Sequence, residues 1–321
     1  MAKQYIAESV SYLHPDKICD QISDLLLDEL LKIDKQSRVA LEVVGGHGRV
    51  GIYGELTTKS NIAIESLVKG YYMKLTGNNI EIDINVVTQS PQISQGVDNG
   101  GAGDQGIMVG YACSENDMYL PQEMYLARKL LEGLNTDAKS QVTIKDGSLS
   151  SIVVSAQNFT QAQLQKRVVK ICELGEDTKV YANNTGAFTI GGFDADSGCT
   201  GRKIVVDAYG PRVPVGGGAF SGKDPTKVDR SAAYMARWIA LYLLHKHSAS
   251  EVLVRLGYVI GGDQPLITQA VIDGVEIDFD IDCRPAAIIE RFDLLRPIYL
   301  NTARNGHFGH IGIYPWESDF K

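Results

Sequence analysis

The sequence predicts an α+β protein built on mixed or antiparallel sheets rather than on a strict run of βαβ units. Three observations carry this. Stretches of alternating polarity come in adjacent pairs, two of them around the turn signals Asp146-Gly147 and Asp273-Gly274. Three or four helical patterns interrupt those pairs. No Pro/Ser-rich linker divides the 321 residues, a length that suffices for two or three compact units.

The first helical pattern covers Pro15 to Ile33. Ile18, Ile22, Leu26 and Leu30 recur at helical spacing, and Asp20, Asp24 and Asp28 share another face. Pro15 suits the first helical position. Residues 38–58 read as a hairpin, "RVALEVV" and "RVGIYGELTT" around "GGHG". Residues 80–88, "IEIDINVVT", alternate as a strand, and 141–155 form a second hairpin around Asp146-Gly147. Further helical patterns fall at about 160–174, 224–245 and 284–296. "VGIYGEL" and "FTIGGF" echo each other faintly, a hint of internal duplication.

Composition narrows the function. The chain is 44% hydrophobic and 22% charged, with a net charge of −8, which disfavours a general nucleic-acid role. Its basic residues cluster locally, at 201–203 and 223–230, as suits a small polyanionic ligand. No run approaches the ~18–20 apolar residues of a membrane span. The first seventeen residues lack the apolar core of a signal peptide. The five cysteines (19, 113, 172, 199, 283) include no C-x-x-C pair. That fits a reducing, cytoplasmic setting without a zinc site or disulfide frame.

Four segments combine glycines with ionisable residues: 11–21, 89–106, 183–203 and 216–230. Glycine lets backbone approach a ligand closely. The last segment, "GGGAFSGKDPTKVDR", places Gly217, Gly222 and Lys223 as a P-loop would. Asp224 then stands where a P-loop needs a hydroxyl, so an anion would bind here in another manner. Asp224 reads as a helix cap with Pro225 at the first helical position, and Lys227 in the first turn. Lys223 and Lys227 beside a helix N-terminus suit an anion, and Asp229 suits a cation bound to that anion. The plainer alternative is a solvated, capped helix start with a salt bridge. His14 and Asp16 flank Pro15 at another helix start, where a histidine is commonly just a cap. If the two starts converge, Asp16 and Asp229 would share a Mg²⁺, which favours a few carboxylates with water and phosphate oxygens. The residues alone thus suggest a Mg²⁺-dependent enzyme of polyphosphate chemistry.

The motifs "HPDK-CDQISD", "GAGDQG", "DAKSQV", "TGRKI-VD-YG" and "GGGAFSGKDPTKVDRSAAY" resemble, in order and along nearly the whole chain, the S-adenosylmethionine synthetase (methionine adenosyltransferase) family. The resemblance implies three similar, intertwined α+β domains in a pseudo-threefold arrangement. They would divide near 1–100, 101–220 and 221–321, with segments interleaving. It implies a homodimer or dimer of dimers with active sites between subunits. It also implies that methionine sulfur attacks C5′ of ATP and that the released tripolyphosphate is hydrolysed to phosphate and pyrophosphate.

Carried over by motif, His14 looks like the histidine beside the phosphates and the breaking bond. Asp16 and Asp229 look like the Mg²⁺ carboxylates, with two Mg²⁺ per site, and Glu42 resembles the K⁺ ligand. Lys139, Arg202, Lys203 and Lys223 look like polyphosphate contacts, with Ala219 beside them. Phe188 resembles the aromatic that stacks on adenine. Glu55, Gln89, Asp196 and Lys227 are similar to the positions that hold methionine or lie between it and ATP, Asp196 serving both ligands, and Ile260 resembles an apolar wall of the methionine site. Asp104 looks like a contact across the dimer interface.

The chain also departs from the family. "SYLHPDK" stands for S-E-G-H-P-D-K, and Ala187 stands in "TGAF" where the family reads T-G-R-F. The loop over 89–101, which in the family closes over the site, is short here, and 115–136 and 146–180 are compact. A non-catalytic relative would be expected to lose charged site residues, whereas His14, Asp16, Lys139, Arg202, Lys203, Lys223, Lys227 and Asp229 are all present. An unrelated kinase or ligase is disfavoured by the missing Walker hydroxyl and the absence of a G-x-G-x-x-G unit.

Overall fold

The computed structural model describes residues 3–88 and 100–320. Strand β1 (Gln4–Val10) leads into helix α1 (Pro15–Ile33), which has the expected bounds. The first hairpin is β2 (Arg38–Gly46) and β3 (Arg49–Thr57), turning at His47 and Gly48, both at positive φ. Helix α2 (Ile64–Thr76) precedes β4 (Glu81–Val87). The sequence reading does not include α2, because only Val68 and Tyr72 of it are buried and its apolar stripe is thin. Strand β5 (Gly106–Cys113) and helix α3 (Gln122–Leu131) lead to the second hairpin, β6 (Ala138–Lys145) and β7 (Ser148–Ala156). Then come α4 (Gln161–Ile171), β8 (Lys179–Ala182), β9 (Gly198–Cys199) and α5 (Ile204–Asp207). The chain continues through α6 (Val228–His247), β10 (Glu251–Tyr258), β11 (Ile267–Ile272), β12 (Val275–Ile277), α7 (Pro285–Phe292) and α8 (Tyr299–Asn305). Gln89 and nearly all of the 89–101 loop lie outside the described residues.

Among the described residues twelve strands form three four-stranded sheets with one plan, β4-β3-β2-β9, β8-β7-β6-β1 and β12-β11-β10-β5. In each, three strands come from one stretch of chain and the fourth is donated from elsewhere. The donated strand always pairs antiparallel with the first of the three, and the first and second form an antiparallel pair. The third strand is parallel in two sheets, after crossovers through α2 and α4, and antiparallel in the last, after a hairpin turn at Asp273-Gly274. Mixed sheets with interrupting helices bear out the α+β expectation, and the repeated strand order gives three similar, intertwined units. The particular echo between "VGIYGEL" and "FTIGGF" does not mark the repeat. The first is β3, whereas 188–193 is irregular chain entering a 3₁₀ turn at Gly192–Asp194. The duplication lies in topology, which pairs hairpins of dissimilar sequence.

Helix α1 is buried on almost every side, which corrects its simple amphipathic reading. The carboxylates spaced four apart do not face water. Asp16 accepts the backbone N–H of Cys199, Asp20 that of Gly201 and Asp24 that of Gly222, each at 2.9 Å. Asp28 accepts those of Tyr299 and Leu300, also at 2.9 Å. Residues four apart lie one above another on a helix, so α1 acts as a comb that fixes three loops in register. Burial of these carboxylates is costly unless they are paired. Lys17 reaches Asp207 and, at 3.1 Å, Asp20; Arg230 pairs with Asp24. Burial pushes the Asp20 carboxyl up to about 7 and that of Asp28 up to about 6.

Helix α6 starts three residues later than the Asp224-Pro225 signal suggests. Its first residue is Val228 and its cap position is Lys227. Asp224 is drawn into the interior instead. Its Oδ2 accepts from the Val39 N–H at 2.7 Å and from Lys227 Nζ at 2.6 Å, and its Oδ1 accepts from the Thr226 N–H at 2.9 Å. A buried carboxylate that closes a local turn and holds β2 outcompetes a helix-capping role.

Candidate active site

Two clusters of charged residues emerge. The first surrounds the start of α1. His14 is the N-cap, and its Nδ1 accepts the Asp16 N–H at 3.2 Å. With Nδ1 an acceptor, the imidazole proton sits on Nε2. The ring is only 3% exposed, and burial, followed by the charges of Lys139 and Lys203, lowers its pKa to about 4. His14 is therefore a neutral donor at physiological pH.

Asp16 lies beneath it, wholly buried. Its Oδ1 forms an ion pair with Arg202 Nε at 3.1 Å, and its Oδ2 accepts from Lys203 Nζ at 2.5 Å. Burial pushes its carboxyl up, but Lys203 and the Cys199 N–H outweigh that and hold it below the ordinary value. Gly198 makes this possible, since a Cβ there would lie 2.2 Å from the Pro15 carbonyl. Lys139, at the start of β6, is exposed, and so is Asp196; both act electrostatically on His14. Phe188 is half-buried, its carbonyl accepting the Asn158 N–H at 2.9 Å.

The second cluster surrounds the start of α6. Lys223 Nζ donates to Asp229 Oδ2 at 2.5 Å, and Lys227 is committed to Asp224. Gly218 passes so close to Asp229 that a Cβ would fall 2.0 Å from the carboxylate carbon. Lys223 also bridges Ala40 of β2, whose other neighbour is Glu55 of β3. Gly106, at the head of β5, approaches Asp229, and Asp104 is exposed just before it. Gly106 pairs with Tyr258, so the turn bearing Ile260, 53% exposed, adjoins the same region. Ala219 packs against Gly201, joining the two glycine loops. Glu42 is exposed on β2, close enough to Cys199 to raise its thiol, after burial as the larger cause.

Within one chain Asp16 and Asp229 pair with different lysines, Lys203 and Lys223. Arg230 fixes the start of α6 against Asp24, and Asp24 lies two turns beyond Asp16, about 12 Å along the helix. Each carboxylate is neutralised by its own lysine. Among the described residues no group of three or more His, Cys, Asp or Glu side chains gathers as a metal cage.

Sequence reasoning missed Asp137, which accepts the Gly192 N–H at 3.0 Å and sits in the field of Lys139 and Asp196. Burial raises its carboxyl. Its place two residues before Lys139, immediately ahead of β6, was the available signal. Sequence reasoning also missed Arg230 as the residue that holds the Lys223 loop, through its bond to the Lys223 carbonyl at 3.0 Å.

Comparison with known proteins gives a consistent result. Residues 2–95 match the family profile of the S-adenosylmethionine synthetase N-terminal domain, 99–188 that of the central domain and 190–318 that of the C-terminal domain. The chain is 40% identical to the S-adenosylmethionine synthase of Brachyspira hyodysenteriae, over 98% of the chain and 95% of that protein. It is 40% identical to that of Clostridium tetani, over 99% and 97%, and 38% identical to that of Petrotoga mobilis, over 98% and 95%. The first alignment runs over 374 positions, more than the 321 residues present, so it is gapped on this chain's side.

Proposed function

The chain belongs to the S-adenosylmethionine synthetase family, and from that premise we propose that its two charged clusters are complementary half-sites which meet across a homodimer. The chain is a methionine adenosyltransferase: it joins ATP and L-methionine into S-adenosylmethionine, then hydrolyses the tripolyphosphate. The observation that carries the two-chain reading is that Asp16 and Asp229 pair with different lysines and that α6 is tied to α1 at Asp24, two turns beyond Asp16. Exposed apolar residues on outward sheet faces, Val44 and Tyr53 on one sheet and Ile107 and Ile267 on another, support a partner. A dimer of dimers would reuse the same pairing. Division of the chain near residues 100 and 220 belongs to the same proposal, supported by the three-plus-one origin of each sheet.

In this reading Lys139, Arg202 and Lys203 from one chain and Lys223 from the other surround the polyphosphate, with Ala219 lining it. Fixed cations stabilise the negative charge that grows on the leaving group as the sulfonium forms. His14, neutral and protonated on Nε2, donates a hydrogen bond at the C5′–O bond without adding charge. Phe188 stacks on adenine. Glu55, Gln89, Asp196, Lys227 and Ile260 hold methionine so that its sulfur is in line with C5′, and Asp104 reaches the ligand from the second chain.

Asp16 and Asp229 would hold Mg²⁺, two per site, and Glu42 would hold K⁺. The residues fit: each aspartate offers one or two oxygens, and Mg²⁺ commonly completes its shell with water and phosphate oxygens. The bound ions would offset phosphate charge. On binding, Lys203 and Lys223 would be freed from their aspartates to face phosphate. The five cysteines are free thiols, which supports a reducing, cytoplasmic setting, and among the described residues no helix is long and apolar enough to cross a membrane.

Incubation with ATP, methionine, Mg²⁺ and K⁺, followed by mass detection of S-adenosylmethionine, tests the activity. Product should form only when a hard divalent cation is present. Folded protein that makes none would overturn the reading.

A further inference from the structure

A cavity of about 390 Å³ opens behind the segment that leads into α1. Residues 9–12, helix α3 with the turn after it, and the stretch 304–313 form its walls. It contains none of the residues assigned above to ATP, methionine or metal. Its lining is largely apolar, with Val10, Met118, Leu131, Leu134 and Ile311 among the contributors, and its size is that of a small-molecule pocket.

Four cations also line it, and three are satisfied. Lys17 is held by Asp20 and Asp207, and Lys129 by Glu132 at 2.8 Å. Arg128 donates to the carbonyls of Val206 and Ala208, each at 2.8 Å, and to that of Phe308 at 2.5 Å. The fourth, Arg304, stacks its guanidinium over the Tyr12 ring at 4.3 Å. Among the described residues it has no hydrogen-bond acceptor and no carboxylate partner. The Tyr12 hydroxyl, bonded to Asn135 at 3.0 Å, fixes the ring beneath it. Stacking leaves the N–H edge of the fork open, and that edge matches a carboxylate. The position of Tyr12 is the one at which the family reads glutamate. A glutamate would occupy the arginine itself, whereas tyrosine orients it and leaves it unpaired.

We infer that this cavity is a second small-molecule site, which takes an organic monocarboxylate with an apolar body and seats the carboxylate on Arg304. One open guanidinium, with Glu132 and Asp207 on the same wall, selects against ligands of higher negative charge.

The test is calorimetric titration of the full chain with 1-naphthoate and, in parallel, with the neutral 1-naphthalenemethanol. The wild type should bind one naphthoate per chain, at least about tenfold more tightly than the alcohol, as a charge-assisted hydrogen-bond pair implies. Saturating ATP and methionine should not displace it. Arg304→Gln should abolish the preference, and so should Tyr12→Glu, which supplies an internal partner and carries the test if the first variant folds poorly. Three results would each overturn the inference. They are no saturable naphthoate binding in the millimolar range, an undiminished preference in a folded variant, and displacement by ATP and methionine.

Discussion

Asp24 and Arg230 form a two-point ion pair, with Oδ1 to Nη1 at 2.7 Å and Oδ2 to Nη2 at 2.6 Å, and both side chains are wholly shielded from solvent. The pair joins the middle of α1 to the first turn of α6. It therefore fixes where Lys223 and Asp229 stand relative to the glycine loops. Breaking a buried pair strands the other charge and costs about 3–5 kcal/mol. Asp24→Asn and Arg230→Gln should each lower the midpoint of thermal unfolding sharply, measured by circular dichroism. A midpoint close to wild type would mean that the pair contributes little to the fold.

Lys223 is different, because it is about a quarter exposed and its pair with Asp229 is only partly buried. Its loss should leave the fold intact while removing one preorganised charge from the polyphosphate. Such losses typically cost ~10²–10³ in rate. Lys223→Ala should show that drop in kcat with a near-normal unfolding midpoint. Near-normal turnover would reduce the loop to an ordinary helix entry.

Gly198 admits no side chain, because its α-carbon faces the Pro15 carbonyl. Gly198→Ala should push β9 away from α1 and break the Cys199 N–H bond to Asp16. Overpacking of this kind costs about 1–3 kcal/mol. Activity should fall more than stability, since Asp16, Arg202 and Lys203 all move. Equal kcat in the variant and the wild type would contradict the close contact.

His307 is fully buried, its Nδ1 bonded to the Tyr234 hydroxyl at 2.8 Å, and its Nε2 has no partner. Burial, followed by Arg230 and Lys17, holds its pKa well below 6.5. As pH falls below 6.5, the unfolded chain takes up a proton that the folded chain refuses, so this histidine withdraws stability on acidification. Between pH 7 and pH 5 the unfolding midpoint of the wild type should fall relative to that of His307→Gln, since the buried Asp20 and Asp28 contribute equally to both. An identical pH slope in both proteins would remove His307 from the explanation.

Much of this was legible in the sequence, and the misses share a cause. Helix α1 and the hairpins at His47-Gly48, Asp146-Gly147 and Asp273-Gly274 follow from local periodicity and turn chemistry. The four-residue spacing of Asp16, Asp20, Asp24 and Asp28 was visible too. Their partners were not, because Cys199, Gly201, Gly222 and Tyr299 lie far away in the chain. Asp224 was misjudged for the same reason, since the Val39 N–H that claims it belongs to β2. The motifs pointed to both charged clusters. Whether Asp16 and Asp229 meet depends on tertiary and quaternary geometry, which no local pattern in the sequence carries.

Subunit complementation tests the two-chain site most directly. Asp16→Asn and Lys223→Ala damage different half-sites, so each variant alone should be nearly inactive. After the two are mixed, unfolded and reassembled, about half of the dimers should be hybrids. A hybrid holds one doubly damaged site and one intact site, so activity should return to about a quarter of wild type. Activity that stays at the level of the separate variants, with hybrid dimers demonstrated by mass, would place both clusters in a site formed by one chain.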